Sequence, residues 1–344
     1  MPRLPTLAPG HPVRDHGGFS DPGESAAMHP TLAAITLGSP AFASLVVYLL
    51  LIAAAAFAGG SSIAFLSLGH RRMQVLLSLT GGIMLGVGLL HLLPHAYLEL
   101  SRQIDLTMAW VLAGFFLMFL LERAFHGHAH HSADGSHGAH GHSCGDHHDH
   151  EHPGHAAHQP HAAPRSGPWA WCGAFAGLAL HSLADGAALA ASIDADASHG
   201  VGLLAGFATF LAVLLHKPFD AGIIATLMIN AGVSPAKRRI VNVAYAAIVP
   251  LGAMLFLGSL QLYGGSRGPV VGAALALAAG AFLCIAAADL LPEVEFHSHD
   301  RLLLTAALTL GITIAWGITV MERSSHAHAV HGSARPAAAH DHGH

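Results

Sequence analysis

From Phe42 to Leu68 the chain runs without one charged side chain, and the stretches Met73 to Leu100 and Thr107 to Phe125 are nearly as apolar. A hydrocarbon core of about 30 Å is crossed by roughly 20 helical residues rising ~1.5 Å each, so each run is long enough to span a bilayer. In lipid the backbone must bond within its own segment, which makes these runs helices and excludes a soluble layered fold. Composition agrees. Hydrophobic residues make up 53% of the 344 and charged residues 10%, and the mean hydropathy is +0.51, above the range of soluble domains.

The same reading predicts an all-α integral membrane protein with eight transmembrane helices, at 42–68, 73–100, 107–125, 168–193, 200–230, 240–263, 269–293 and 302–322. Residues 1–41 are expected to be a disordered tail. They lack a basic start followed by an apolar run, so no cleavable signal peptide is expected and the first span serves as insertion signal. Residues 126–167 form a loop with fourteen histidines among Gly, Ala, Asp and Pro, too poor in large apolar side chains to build a core. Residues 323–344 repeat that composition with His326, His328, His331, His340, His342 and His344. Helices 1–3 thus occupy 42–125, helices 4–5 lie in 168–230 and helices 6–8 in 231–322.

Short loops rich in Lys and Arg stay in the cytoplasm. His70-Arg71-Arg72 and Lys237-Arg238-Arg239 mark that side, the His-rich loop joins them, and both termini lie opposite. The acidic stretch Asp194-Ala195-Asp196 is then expected in an outer loop. Cys144, Cys172 and Cys284 are widely spaced with no Cys-x-x-Cys pair, so neither a disulfide framework nor a thiolate metal knuckle is indicated. The formal charge of -5 suggests no nucleic-acid partner, and no resident cofactor is expected.

Thirty-one histidines point to imidazole chemistry with borderline metals. The fourth span carries His181-Ser182-Leu-Ala-Asp185-Gly186 and the fifth His216-Lys217-Pro218-Phe219-Asp220. In each, His and carboxylate are four apart and share a helical face. Ionisable groups inside a span cost several kcal/mol each and call for a partner or a function. If the two helices pack face to face, two imidazoles and two carboxylates converge as N and O donors suited to zinc. Pro218 frees the carbonyl of Leu214 and should bend the fifth helix. Lys217, an ammonium that cannot ligate metal while protonated, either takes the place of a second metal or neutralises one aspartate. The second span ends in His91-Leu-Leu-Pro-His95 and the seventh in Asp289-Leu-Leu-Pro-Glu293, an internal similarity between oppositely directed helices that suggests an inverted repeat.

Taken together, the eight spans, the His-rich loop after the third and these four motifs resemble the ZIP family of metal transporters over about 42–322. The resemblance implies a 3+2+3 inverted-repeat arrangement, transport toward the cytoplasm by an elevator-like form of alternating access, and a homodimer. It implies that His181, Asp185, His216 and Asp220 are the transport ligands, with Ser182 and Lys217 at positions that in some members serve a second metal. It also places His91 and His95 near the outer mouth, and Asp289, Glu293, His297 and His299 near the cytoplasmic exit. Zinc is the expected cargo, with Cd2+, Fe2+ and Mn2+ accepted by the same donor types. The loop would gather or sense zinc. The Ala- and Gly-rich composition suggests a bacterial inner (cell) membrane.

Two other readings compete. Cation diffusion facilitators also use His-x-x-x-Asp and would export metal, but here the motifs lie on adjacent spans, the spans are too many and no soluble metal-binding domain follows. An intramembrane zinc hydrolase would hold zinc on histidines, activate water with an Asp and use Ser182 for the oxyanion, yet no His-x-x-x-His or Glu-based zinc motif is present.

Overall fold

A computed structural model describes residues 35, 38–62, 70–130, 170–201, 204–263, 266–296 and 301–332. The described residues are helices and short turns: α1 (Pro40–Ser62), α2 (His70–Val87), α3 (Leu93–Glu99), α4 (Ile104–His130), α5 (Ala170–Ser198), α6 (Phe207–Asn230), α7 (Pro235–Ala246), α8 (Ile248–Leu262), α9 (Arg267–Phe296) and α10 (Arg301–Gly332). A five-residue π-turn, Gly88–Leu92, joins α2 to α3. With α2–α3 and α7–α8 each read as one span, eight helical segments are long and apolar enough to cross a membrane. Leu112 and Phe116 of α4 are more than half exposed, as side chains facing lipid are.

Two spans are broken where proline dictates. Pro94 has no N–H and its ring would strike the Leu90 carbonyl of a regular helix. The π-turn, closed by Leu93 N–H on the carbonyl of Gly88, absorbs one extra residue just before it. Pro250 has the same relation to Ala246, and α7 ends there before α8 begins at Ile248.

Several expected boundaries move. The fourth span continues past Ile193 to Ser198, so Asp194 and Asp196 are not in an outer loop. They occupy the last turns of α5 and are 3% and 0% exposed. That helix ends at Ser198, and Gly200 just beyond it, at φ +87°, lets Val201 N–H reach back to the Asp196 carbonyl. The fifth span starts at Phe207. Lys237, Arg238 and Arg239 form the first turns of α7, started by Pro235 at its first position. Helix α4 runs to His130, through the first histidines of the expected loop, and α10 runs to Gly332 through the start of the expected tail. No proline, and in α10 no glycine before Gly332, interrupts either extension. The first span ends at Ser62, with its expected last residues outside the described ones.

The helices pack densely in two sets. One joins α2 with α10, α4 with α9, and α2–α3 with α9. The other joins α5 with α8, α1 with α6 and α7, and α5 with α6. The two sets meet chiefly along α5, which packs on α9 and α4 about as closely as on α6, and along α2 with α6. Two interfaces of the first set repeat one arrangement. A Cβ on Gly82 would meet the carbonyl of Leu308, and one on Gly311 that of Leu79; a Cβ on Gly280 would meet that of Val111, and one on Gly114 that of Leu277. In each case a glycine three residues after an aliphatic side chain brings the backbones together, the small-residue packing that replaces hydrophobic drive inside lipid. Gly186 against Val249 and Gly252 against Leu183 do the same between α5 and α8.

Candidate metal centre

Helices α5 and α6 meet with their His-x-x-x-Asp faces together. His181 and His216 have ring centroids 5.4 Å apart. Their Nε2 atoms lie 3.3 Å and 3.3 Å from Asp185 Oδ2, and 3.8 Å and 3.9 Å from Asp220 Oδ2. Tetrahedral zinc with bonds of about 2.0–2.1 Å sets its ligand atoms roughly 3.4 Å apart, and these distances bracket that value. One donor atom each from His181, His216 and Asp220 falls within a 4.8 Å group. His181, Asp185 and His216 are at most 5% exposed.

The tautomer of His216 is fixed by its surroundings. Its Nδ1 lies 2.8 Å from the carbonyl of Ala212, which only accepts, so Nδ1 carries the proton and Nε2 turns a lone pair toward the carboxylates. A backbone carbonyl on the distal nitrogen is the usual support of a metal-binding imidazole.

Lys217 is fully buried. Its ammonium donates to Asp185 Oδ2 and, at 3.0 Å, to Asp220 Oδ2, so it bridges both aspartates where sequence reasoning left one or the other open. The cluster is completed by Tyr245 of α7, whose hydroxyl donates to Asp220 Oδ2 at 3.2 Å. Sequence reasoning missed this residue, because a lone tyrosine in an apolar span carries no spacing signal. Ser182 does not join the donor set. Its Oγ lies 2.7 Å from the Leu178 carbonyl and 2.9 Å from the Tyr245 oxygen, and its single proton serves one of them at a time.

His91 and His95 sit elsewhere, on the π-turn and α3, and Asp196 of α5 lies beside both. That aspartate and Glu322 of α10, 3.0 Å from His91 Nδ1, were also missed. Asp194-Ala195-Asp196 reads as an acidic loop until the helix is seen to continue, and Glu322 lies at the edge of the last apolar run. Asp289 and Glu293 fall on α9, but their side chains lie outside the described residues, as do His297 and His299.

The fold and the site define an α-helical membrane-spanning protein that holds a buried imidazole and carboxylate donor set between two of its helices. The chain belongs to the ZIP zinc transporter family, whose model matches residues 39–319. Among curated relatives, zinc transporter ZIP9 of Micropogonias undulatus is 34% identical over 129 residues, covering 36% of this chain and 40% of the relative. Zinc transporter ZIP9-B of Xenopus laevis is 34% identical over 131 residues, covering 36% and 41%. The matched stretch thus spans about two fifths of the length of these relatives.

Proposed function

We propose that this chain carries divalent transition metal ions, zinc foremost, across a membrane toward the cytoplasm by alternating access, with His181, Asp185, His216 and Asp220 as the transport centre. The observation that carries this reading is the convergence of imidazole nitrogens and carboxylate oxygens from two adjacent spans at tetrahedral spacing. Family membership and the printed names of the relatives support the same cargo. His181, His216 and Asp220 supply the direct bonds. Asp185 shares its charge between the metal and Lys217.

Lys217 makes the centre mononuclear in this reading. Its ammonium already neutralises one of two buried carboxylates, so a second divalent ion beside it would be repelled. The engagement of Ser182 with Leu178 and Tyr245 weighs against an oxyanion role and hence against a hydrolase. The 3+2+3 repeat is supported by helix pairing: exchanging spans one with six, two with seven, three with eight and four with five turns the α2–α10 interface into α9–α4, and α5–α8 into α6–α1. The homodimer rests on the family resemblance. The bacterial cell membrane rests on composition alone, and the eukaryotic relatives lend it no support.

Uptake into proteoliposomes tests the reading, with zinc, cadmium, iron and manganese assayed separately for intact protein and for a His181→Ala, Asp220→Ala variant. Intact protein should fill the vesicles at least tenfold faster than the variant, itself shown to be folded. Metal leaving the vesicles, or equal rates, would overturn it.

A further inference from the structure

We infer that His91, His95 and Asp196 form a second divalent-metal site, separate from the transport centre, that ties the two helix sets together. Asp196 follows Asp185 on the same helix by eleven residues, roughly 16 Å at 1.5 Å per residue, and the two clusters share no side chain. His95 Nδ1 lies 3.0 Å from Asp196 Oδ1, His91 Nε2 lies 3.7 Å from Asp196 Oδ2, and the two rings are 4.6 Å apart. One donor atom of each residue falls within a 4.8 Å group. The two imidazoles approach different oxygens of the one carboxylate, each within a few tenths of an ångström of the roughly 3.4 Å between ligands of tetrahedral zinc.

The surroundings are those of a metal site rather than of a salt bridge. Asp196 Oδ2 accepts the Gly206 amide at 2.6 Å, which fixes the carboxylate and turns Oδ1 toward His95. Buried Oδ1 and His95 Nδ1 are close but not aligned as a hydrogen bond. Glu322, 5% exposed, lies 3.0 Å from His91 Nδ1, so a second buried carboxylate stands beside the cluster. Ser192 Oγ is 3.0 Å from His91 Nε2 and accepts from Thr209 at 2.9 Å, so a small oxygen donor also faces the site.

Its position gives it a consequence. His91, His95 and Glu322 belong to the set containing α2, α3 and α10, whereas Asp196, Ser192 and Thr209 belong to α5 and α6. One ion bound here bonds both sets, whereas the transport centre lies wholly within one. Where transport requires the sets to move past each other, which rests on the reading above, an ion here holds them in this arrangement, so excess metal slows the cycle.

Two measurements on the full-length protein in lipid nanodiscs and proteoliposomes test this. Tightly bound Zn2+ per chain is counted by equilibrium dialysis, the loop histidines being common to all samples. A His95→Ala, Asp196→Asn variant should bind one equivalent fewer than intact protein, and Asp196→Glu, which keeps the carboxylate, should bind as many as intact. Equal counts for the double variant overturn the site, as does loss of the same equivalent in Asp196→Glu with an unchanged count in His95→Ala alone. If the cluster variant loses an equivalent while a His181→Ala, His216→Ala variant loses none, the second site stands and the transport centre fails. The second measurement is the shape of uptake against zinc: the intact rate should pass an optimum and fall at least twofold, and Asp196→Asn should only plateau. A matching fall in both overturns the tie between the helix sets.

Discussion

Lys217 has no exposed surface and holds its ammonium between two aspartates that would otherwise repel each other. Removing one member of a buried ion pair costs about 3–5 kcal/mol, because the charge left behind has lost both water and partner. Lys217→Met should lose stability of that order in metal-free buffer. A divalent ion can replace the missing cation, so zinc should raise the thermal unfolding temperature of the variant more than that of intact protein. Equal shifts would mean that the metal does not share these carboxylates. The four-residue spacing made His181, Asp185, His216 and Asp220 legible in sequence, because position on one helical face is a property of spacing. Tyr245 and Glu322 were not legible, since their roles depend on which helix packs opposite them.

At the scale of the element, the spans interrupted before Pro94 and Pro250 read in sequence as continuous apolar runs, while α6 continues through Pro218, where a bend was expected; apolarity alone does not show where a helix breaks. The end of α5 was misread because two aspartates beside a glycine resemble a turn. Their burial is made possible by tertiary partners: Arg267 for Asp194, and the Gly206 amide with the two histidines for Asp196. Gly206, at φ +72° with Ile193 Cγ1 where a Cβ would stand, is the residue that allows that amide to face inward. Glycine at a helix contact is a different case. Gly186→Ala puts a methyl against the Val249 carbonyl and should cost about 1–3 kcal/mol of overpacking strain. Gly258→Ala, with nothing within 4 Å of the new Cβ, should instead stabilise its helix by roughly 0.5–1 kcal/mol. Thermal unfolding in detergent separates the two signs, and destabilisation by both would point to helix flexibility instead of close packing.

At the scale of the whole molecule, the paired Leu-Leu-Pro segments of the second and seventh spans were the sequence trace from which an inverted repeat was read. The glycine contacts extend it: Gly82 and Gly280, equivalent in those segments, make equivalent approaches to α10 and α4. The partition into two helix sets was not legible, because it depends on which neighbours pack densely. If the proposed cycle moves one set against the other, a link between them should stop transport without touching the metal ligands. Helices α5 and α9 offer the place, where Asp194 and Arg267 form an ion pair across the two sets. In a chain with Cys144, Cys172 and Cys284 replaced by serine, Asp194→Cys and Arg267→Cys can be joined by a short bifunctional thiosulfonate reagent. Zinc uptake should fall below a tenth of the unlinked rate and return when the link is reduced, while each single cysteine, treated alike, should keep its rate. Undiminished uptake by the linked protein would mean that this end of the molecule stays rigid through the cycle, and the moving parts would have to be sought within one helix set.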